Sequence, residues 1–441
     1  MPRIVIVTYN WPPRNAIGTH RPYAWAKYWA ELGAKVTVVT ARKQSFDLPL
    51  DLDLPKVPDG VELIEIPYRS VSFLSLLLLK FNNLRVLARS LNRKIPSKIS
   101  SAKDPRINWK SAANEIVLNL ARRTDIVVST YGPAAAHLIA SDMKSANPAI
   151  FWVADYRDLW SQSHTKKLAE SDKAKELKVE EESVGKHANL LTSVSQDLSD
   201  RLSLFLKKPA LVSENGFDLS VEELHSTFKH IRFKLEKPLR IVYTGTVYDG
   251  TQDPLPLINS LTQLLASKAI RPGDVTLDFY GERVGFVRDL ARDAVYGKFI
   301  RLFGHVSRQR ALEAQRQAGL LLLLESPAQD ARGVLTGKLF EYLVSGRPIL
   351  CIGSRPEFAI GEVLKRTGTG QVFGPDEYSQ LADFISRTLA GEGIYESYSP
   401  KLDEIAKFSR RSLSIAMYSK MIGLWNDQQI RRGSLRPSGR Q

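Results

Sequence analysis

The opening of the chain alternates strand, helix and strand, and this order restricts the fold more than any other feature. Residues 3–8 form an uninterrupted run rich in β-branched residues, as expected of a parallel strand that is buried on both faces. A loop rich in Pro, Gly and Asn follows, then a helical pattern over 19–32 that ends at Gly33, and then a second strand over 35–40. Strand, helix and strand in this order predict a Rossmann-like domain with parallel strands.

The same alternation starts again at residue 239, after a polar, lysine-rich interval over 219–238 that we interpret as a linker. A chain of 441 residues is too long for one core, and two domains of roughly 200 residues each are the natural expectation. We therefore predict an α/β chain with two Rossmann-like, doubly wound parallel sheets. Strands are expected at 61–66, 126–129, 150–153, 190–193 and 211–213, and then at 239–244, 275–280, 300–303, 320–324, 348–352 and 370–373, with a last helix over 403–425.

The segment 333–350 carries the clearest functional signal. Lys338 and Glu341 are three residues apart and would share one face of a helix predicted over 336–345. The turn before them would direct backbone N–H groups and the positive end of the helix dipole at an anion. A diphosphate on those N–H groups and on the lysine, with the carboxylate on ribose hydroxyls, would make a nucleotide-sugar site. The N–H groups in question belong to Val334, Leu335, Thr336 and Gly337.

This segment resembles the donor-binding motif of the family-4 retaining glycosyltransferases, a branch of which has the same pattern, GKLFEYL-x-x-G-x-P. That family has the GT-B fold, in which two Rossmann-like domains face a cleft and the last helix crosses back onto the first domain. The resemblance implies an acceptor domain over 1–220, a donor domain over 238–402, a crossing helix over 403–428 and a basic tail over 429–441. The family usually has a glutamate eight residues before the position of Glu341, where this chain has Gly333.

The implied activity is transfer of a sugar from a nucleotide-diphosphate donor to a hydroxyl of a glycan or lipid-linked acceptor, with retention and without a metal. Lys338 would stabilise the charge on the leaving diphosphate. His137 and Asp155 complete the expected catalytic set, on the resemblance of their segments to the family. Asp155 begins a D-x-R-D-x-W segment that resembles the same branch. Both residues also have a structural alternative, as a buried histidine and as part of an internal ion-pair network.

In the first loop, Gly18 would let the backbone approach the donor closely, at the carboxyl end of a strand where such folds bind ligands. Arg14, His20 and Arg21 are candidates for contact with an anionic acceptor. In the second domain, Gly245, Thr246, Gly281, His305 and Val306 follow strands and are expected to contact the donor. Two positions that many family members fill with an arginine and a lysine are neutral here, approximately Thr246 and Gln252. Either Arg283 or Arg332 assists Lys338 in neutralising the diphosphate, or donor binding is weakened.

The net charge is +15, and between residues 69 and 110 ten basic residues stand against one acid, Asp104. They alternate with leucines and phenylalanines, which favours a basic amphipathic segment at a membrane surface, to which a disordered basic tail would add attraction. The single cysteine, Cys351, argues against disulfides and suits a reducing cytoplasm. We expect a cytoplasmic protein on the inner face of the plasma membrane that needs no metal or cofactor besides its donor and binds no nucleic acid.

Two alternatives share the predicted fold. A nucleotide-sugar 2-epimerase would need acid and base carboxylates, which Asp155 and Asp158 could supply, but that family lacks the Lys338–Glu341 motif. A non-catalytic accessory protein at the membrane would be consistent with Gly333 and with the neutral residues at 246 and 252.

Overall fold

The structure, a computed structural model, describes residues 1–69, 104–163, 169–229, 237–281, 285–394 and 398–434. Most of the basic segment, residues 70–103, lies outside this range, as does Arg283. The chain divides into two compact units. Unit 1 comprises Met1–Ser213 together with the segment from Ser414 onward, and unit 2 comprises Glu214–Leu413.

Unit 1 is built on a seven-stranded, wholly parallel sheet with the order β3-β2-β1-β4-β5-β6-β7. Its central strands are buried, and Ile4 of β1 lies opposite Val36 of β2 on one side and Ile126 of β4 on the other. The strands are β1 Arg3–Val7, β2 Lys35–Ala41, β3 Val61–Ile66, β4 Ile126–Thr130, β5 Phe151–Tyr156, β6 Leu190–Ser193 and β7 Ala210–Val212.

Among the described residues of unit 1, five helices cover the two faces of this sheet. They are α1 Ile17–Glu31, α2 Asn108–Ala121, α3 Ala135–Ala146, α4 Glu170–Glu180 and α5 Gln196–Leu206. The side chain of Ser195 caps α5 by accepting the N–H of Leu198 at 3.4 Å. Trp109 and Trp152 are buried on one face of the sheet, and Trp25 and Trp29 on the other. All seven tryptophans of the chain belong to unit 1.

Unit 2 has a six-stranded parallel sheet with the order β10-β9-β8-β11-β12-β13, which repeats the order of the first six strands of unit 1. Its strands are β8 Leu239–Thr244, β9 Val275–Tyr280, β10 Ile300–Gly304, β11 Leu320–Leu324, β12 Ile349–Ile352 and β13 Gly370–Phe373. Its helices are α6 Val221–Lys229, α7 Leu255–Ala266, α8 Gly285–Arg292, α9 Arg308–Arg316, α10 Gly337–Leu343, α11 Ala359–Thr367, α12 Tyr378–Leu389 and α13 Leu402–Ala406.

The last helix, α14 Arg410–Ser434, begins in unit 2 and continues in unit 1. In unit 1 the indole N–H of Trp29 donates to the carbonyl of Ser414 at 2.9 Å, and Met417 and Met421 are buried against the sheet-covering helix α1. The single helix predicted over 403–425 is therefore two helices, separated where Ser409 pairs with Phe217. The helix also extends to Ser434, so the expectation of a disordered tail from residue 429 is wrong for 429–434.

Both sheets confirm the predicted fold class of two doubly wound parallel domains. In each, consecutive strands run outward from a central strand in one direction and then in the other, so the order reverses between β1 and β4 and between β8 and β11. Ligands of open α/β sheets bind at the carboxyl ends of the strands at such a reversal. No helix among the described residues is both long and apolar enough to cross a bilayer.

Candidate functional site

Three glycines stand at the carboxyl ends of neighbouring strands in unit 2. Gly245 follows β8 with φ +115°, Gly281 follows β9, and Gly304 ends β10 with φ +68°. A Cβ atom on Gly281 would lie 2.1 Å from the carbonyl oxygen of Gly245, so only glycine fits there. The strand ends of β8, β9 and β10 therefore approach each other closely and leave backbone at the edge where a donor would bind.

Lys338 reaches the Gly245–Thr246 loop from the first turn of α10. Its ammonium group donates to the hydroxyl of Tyr243 at 2.9 Å and to the carbonyl of Thr246 at 3.3 Å, and it lies 4.8 Å from the centre of the Tyr243 ring. Burial lowers the pKa of Lys338, while the carboxylates of Glu325 and Glu341 oppose that shift. The structure thus brings together two segments that sequence analysis assigned to the donor diphosphate.

Glu325 lies directly after β11 and was not predicted as a site residue. The residue is 8% exposed, its carboxyl group accepts a hydrogen bond from Thr336 at 3.2 Å, and burial raises its pKa. The ammonium of Lys338 lowers that pKa in opposition, which means that the two groups interact electrostatically. A buried carboxylate at a strand end that interacts with a partly buried ammonium is typical of a functional site.

Glu341 lies one turn after Lys338 on the same helix and is half-buried. It accepts a hydrogen bond from the Gln315 amide at 3.4 Å and lies 3.7 Å from the Arg308 guanidinium. Gln315 also donates to the hydroxyl of Thr244 at 3.0 Å, which links this carboxylate to the end of β8. Glu341 is therefore held at the same edge of the sheet as Lys338.

The remaining predicted donor residues of unit 2 have distinct surroundings. Gln252 is buried and accepts hydrogen bonds from Tyr243 and from the Tyr248 backbone, so it organises the loop. His305 is exposed and Val306 half-buried, after the edge strand β10. In the turn before α10, Val334 donates its N–H to Ala331, which leaves Leu335, Thr336 and Gly337 as the donors that could face a ligand.

Asp155, at the carboxyl end of β5 in unit 1, is fully buried. Its carboxylate accepts hydrogen bonds from the Arg21 guanidinium, one of them at 2.7 Å, and from the Thr192 hydroxyl at 2.8 Å. Arg21 is 6% exposed and lies 4.8 Å from the centre of the Trp25 ring. Asp155 and Arg21 thus join α1 to the strand ends, and this geometry favours the internal ion-pair alternative for Asp155.

His137, in the first turn of α3, has no exposed surface. Its Nδ1 is 2.7 Å from the Ser129 hydroxyl, and its ring packs 4.7 Å from that of Tyr156. Burial lowers its pKa to about 3, so the ring is neutral at physiological pH. Within the described part of the chain its Nε2 has no hydrogen-bond partner. His137 is therefore arranged to hold β4 against α3 and not to meet a sugar directly.

Unit 1 contains a pocket of about 350 Å³ at the carboxyl ends of β1, β4 and β5. Gly18 and Gly132 line it, and the guanidinium of Arg157 lies over both glycines. A Cβ on Gly18 would lie 1.6 Å from Nη1 of Arg157, and one on Gly132 would lie 3.6 Å from Nη2. Asn10 connects the two loops, since its amide donates to the carbonyl of Gly132 at 3.0 Å and accepts from Arg14.

Comparison with known proteins gives a fold and no closer relationship. No protein-family model matches the chain, and no curated protein sequence matches it. Among solved structures it is similar to sucrose-phosphate synthase from Thermosynechococcus elongatus, with 13% identity over 97% of this chain and 100% of that one and a TM-score of 0.62. The chain has the GT-B fold.

Two further GT-B structures show the same likeness. One is WaaG, a glycosyltransferase involved in lipopolysaccharide biosynthesis, with 13% identity over 95% of this chain and 100% of that one and a TM-score of 0.54. The other is a putative UDP-N-acetylglucosamine 2-epimerase from Listeria monocytogenes, with 15% identity over 97% and 98% of the two chains and a TM-score of 0.52.

In this GT-B chain the predicted donor residues of the second half meet at one sheet edge, whereas those of the first half separate. Gly18 and Arg14 line the pocket of unit 1, while His20, Arg21, His137 and Asp155 are buried beneath its walls. Sequence reasoning missed Glu325, although a carboxylate directly after five leucines at a strand end was a usable signal. No three acidic, histidine or cysteine side chains of the described residues lie close enough to hold a metal ion.

Proposed function

We propose that the protein is a glycosyltransferase that uses a nucleotide-diphosphate sugar as donor and a hydroxyl of a glycan or lipid-linked molecule as acceptor, with retention at the anomeric carbon. One observation carries the proposal: at the carboxyl edge of the sheet in unit 2, Lys338 contacts the Gly245–Thr246 loop, and Glu341, one helical turn further on, is linked through Gln315 to the end of β8. The GT-B fold supports it, because WaaG with that fold is a glycosyltransferase.

The mechanism we propose is electrostatic. As the bond from the sugar to the diphosphate breaks, negative charge grows on the leaving phosphate oxygens, and the Lys338 ammonium stabilises it. A desolvated ammonium is effective here because the surrounding protein screens its charge less than water would. Glu341 would accept hydrogen bonds from the ribose hydroxyls, exchanging the weak contact with Gln315 for them.

Glu325 gives the donor site a carboxylate that Gly333 does not provide. We propose that it lies beside the donor sugar and orients it through a hydroxyl, because it is buried next to Lys338 and Thr336 at the same strand edge. Asp155 and His137 would then act as positioning residues that fix the strand ends of unit 1. The acceptor proton would pass to the leaving diphosphate, so this scheme needs no protein base.

We further propose that the enzyme acts in surface polysaccharide or glycolipid synthesis, from the cytoplasmic side of the plasma membrane. The support is the basic, leucine-rich sequence between 69 and 110 and the role of WaaG in lipopolysaccharide biosynthesis. The donor is the nucleotide sugar alone, with neither a metal nor a second cofactor in the scheme.

A thermal-shift screen of the full-length protein with UDP, GDP, ADP, TDP and their sugars tests the donor site. A ligand at about 100 times its Kd should stabilise the protein by about 2.7 kcal/mol. Lys338→Ala should abolish the shift, whereas Lys365→Ala, at an exposed lysine of α11, should leave it unchanged. No response to any nucleotide would overturn the glycosyltransferase and favour the non-catalytic alternative.

Incubation of the responding nucleotide sugar with and without acceptor glycans separates the two enzymatic alternatives. A glycosyltransferase releases nucleoside diphosphate in proportion to the glycan that it extends. Conversion of the free nucleotide sugar to its epimer without an acceptor would instead identify a 2-epimerase, and in that case the proposed roles of Glu325 and Glu341 would be wrong.

A further inference from the structure

We infer that the pocket of unit 1 binds a phosphoryl group, so that the acceptor of the proposed transfer is a phosphorylated sugar or a phosphate-linked lipid. The identification of the ligand as an acceptor rests on the proposed glycosyltransferase function. Phosphate binding itself is argued from the residues of the pocket. The pocket has room for a sugar phosphate, with a volume of about 350 Å³. Its charged lining consists of Arg14, Arg106, Arg157, Asp104 and Glu176.

Three guanidinium groups reach the pocket, and each is held without being fully buried. Arg157 is paired with Asp158 at 2.9 Å, but the Asp158 side chain is 56% exposed, so this pair is weak and can exchange for a ligand. Arg106 is bound by both oxygens of Asp104, at 2.8 and 2.6 Å. The guanidinium group offers paired N–H donors in the geometry that a phosphate accepts.

Arg14 and Arg106 of the pocket, together with Lys43, lie around the ring of Tyr9. The centre of the Tyr9 ring is 5.7 Å from the Arg14 guanidinium, 5.5 Å from that of Arg106 and 5.1 Å from the ammonium of Lys43. The buried carboxylate of Asp47 compensates part of this charge. The two carboxylates of Asp47 and Asp104 against the three cations leave one positive charge on this wall, which an anion in the pocket would compensate.

Backbone and aromatic groups fit the same ligand. The pocket is lined by the first residues of α1 and of α3, two helices of 15 and 12 residues without an acidic residue in the first turn and without a side-chain cap. Their N–H groups and dipoles add to the arginines and favour a doubly charged group over a carboxylate. Tyr131 and Trp160 also line the pocket, with stacked rings 6.0 Å apart that give an apolar wall for a sugar ring.

The test is a titration of the full-length protein with glucose 1-phosphate, glucose and glucuronate, followed by tryptophan fluorescence. All seven tryptophans lie in unit 1, and Trp160 lines the pocket, so the signal reports this site. We expect glucose 1-phosphate to bind at least about tenfold more tightly than either comparison sugar, because only a phosphate satisfies several guanidinium groups. Equal binding of the three, or tighter binding of glucuronate, would overturn the inference.

Variants of pocket residues test whether glucose 1-phosphate binds in the pocket of unit 1. Arg157→Gln and, independently, Arg106→Gln should each weaken binding of glucose 1-phosphate by about tenfold. Arg122→Gln, at an exposed arginine before the amino end of β4, should have no effect. Unchanged affinity in both pocket variants would contradict the inference, and the second variant keeps the test valid if the first misfolds.

The donor site is tested separately. Lys338→Ala should leave glucose 1-phosphate binding intact, and both pocket variants should keep the thermal shift caused by the nucleotide. Loss of sugar-phosphate binding in Lys338→Ala would contradict the location in unit 1. A protein that binds nucleotide but not sugar phosphate overturns only this inference, whereas one that binds sugar phosphate but no nucleotide overturns the proposed function.

Discussion

At the scale of single residues, Lys338 determines how pH should act on donor binding. Burial places its pKa below the ordinary 10.5, and a bound diphosphate favours the ammonium form. Binding should therefore take up protons, and the affinity for the nucleoside diphosphate should fall as the pH rises through the lowered pKa. Isothermal titration between about pH 7 and pH 10 measures this.

The control for this dependence is Lys338→Arg, whose guanidinium stays charged throughout that range. Its affinity should be independent of pH apart from the titration of the ligand. A pH profile identical to that of the wild-type protein would mean that Lys338 does not contact the diphosphate.

His137 should make unit 1 sensitive to acid. Its pKa falls from the ordinary 6.5 to about 3 in the folded protein, because burial disfavours the charged ring. Between these values the unfolded chain binds a proton that the folded chain does not. The free energy of unfolding therefore decreases as the pH drops below 6.5, by up to about 1.4 kcal/mol per pH unit.

Urea unfolding followed by tryptophan fluorescence measures this dependence in the wild-type protein and in His137→Asn, which can keep the hydrogen bond to Ser129. The variant should be less stable near neutral pH and should lose this part of the slope. Parallel slopes in the two proteins would show that His137 titrates normally.

Sequence analysis selected candidate site residues but could not tell which of their side chains a ligand can reach. The strand-end segments of His137 and Asp155 resemble a glycosyltransferase site, yet both side chains are buried by packing partners such as Tyr156 and Thr192 that come from other elements. Glu325 was overlooked because its nearness to Lys338 is not visible in the sequence. Its relation to Lys338 depends on how β11 and α10 are placed in space, and no local pattern encodes that distance.

At the scale of elements, a substitution at the start of α1 should change the stability of the protein and its affinity for the ligand in opposite directions. Gly18 lies within the helix at a φ that alanine adopts readily, and alanine is favoured over glycine in helices by about 0.5–1 kcal/mol. Its methyl group would, however, displace the guanidinium of Arg157. Gly18→Ala should thus keep or raise the free energy of unfolding while it weakens binding of glucose 1-phosphate.

A double variant, Gly18→Ala with Arg157→Gln, checks the cause. If the methyl group acts only through Arg157, the two losses of affinity will not add. Additive losses would mean that Gly18 contacts the ligand itself.

The packing of α14 on unit 1 should contribute strongly to stability. Met421 is fully buried against the core that contains Trp29, and a truncation to alanine at such a site costs about 2–5 kcal/mol. Leu424 lies on the same helix but is 39% exposed, so Leu424→Ala should cost much less. Urea unfolding by tryptophan fluorescence compares the two variants, and equal losses would contradict the docking of the helix through this face.

Strands were easier to predict than helices. Six strands have the predicted bounds. The pattern is clearest in β11 with its five leucines, because a parallel strand buried on both faces must be apolar throughout. Helix α6 was assigned to the linker, since only Leu224 among its residues is buried and the segment looks polar. The break before α14 depends on the contact between Ser409 and Phe217, which are far apart in sequence.

At the scale of the whole molecule, the net charge of +15 leads to a prediction about membranes. If the segment 69–110 binds anionic lipid, each of its cations near the surface contributes about 1 kcal/mol. The triple change of Lys94, Lys98 and Lys103 to Gln should therefore strongly reduce co-sedimentation with phosphatidylglycerol vesicles. The same change at Lys173, Lys175 and Lys178 of α4 gives a control variant with the same net charge as the first, and it should have little effect on co-sedimentation. Equal reductions in co-sedimentation would mean that membrane binding depends on the net charge of the protein and not on the segment 69–110.

The fold class could be predicted from sequence because the alternation of strands and helices, together with right-handed crossovers, leaves few topologies for each half. The division of unit 1 into two stretches could not be derived in the same way. It was expected only through the resemblance to a known family, because a distant helix carries no local sign of the sheet that it covers.

That division has a consequence for the order of folding during synthesis. Unit 2 is one uninterrupted stretch, Glu214–Leu413, and it is synthesised before the part of the last helix that belongs to unit 1. The core around Trp29 is completed only when Met417 and Met421, which follow unit 2 in the chain, have been synthesised. The half of the protein that is translated first is therefore the half that is completed last, and its exposed apolar face is what a chaperone would meet on the nascent chain.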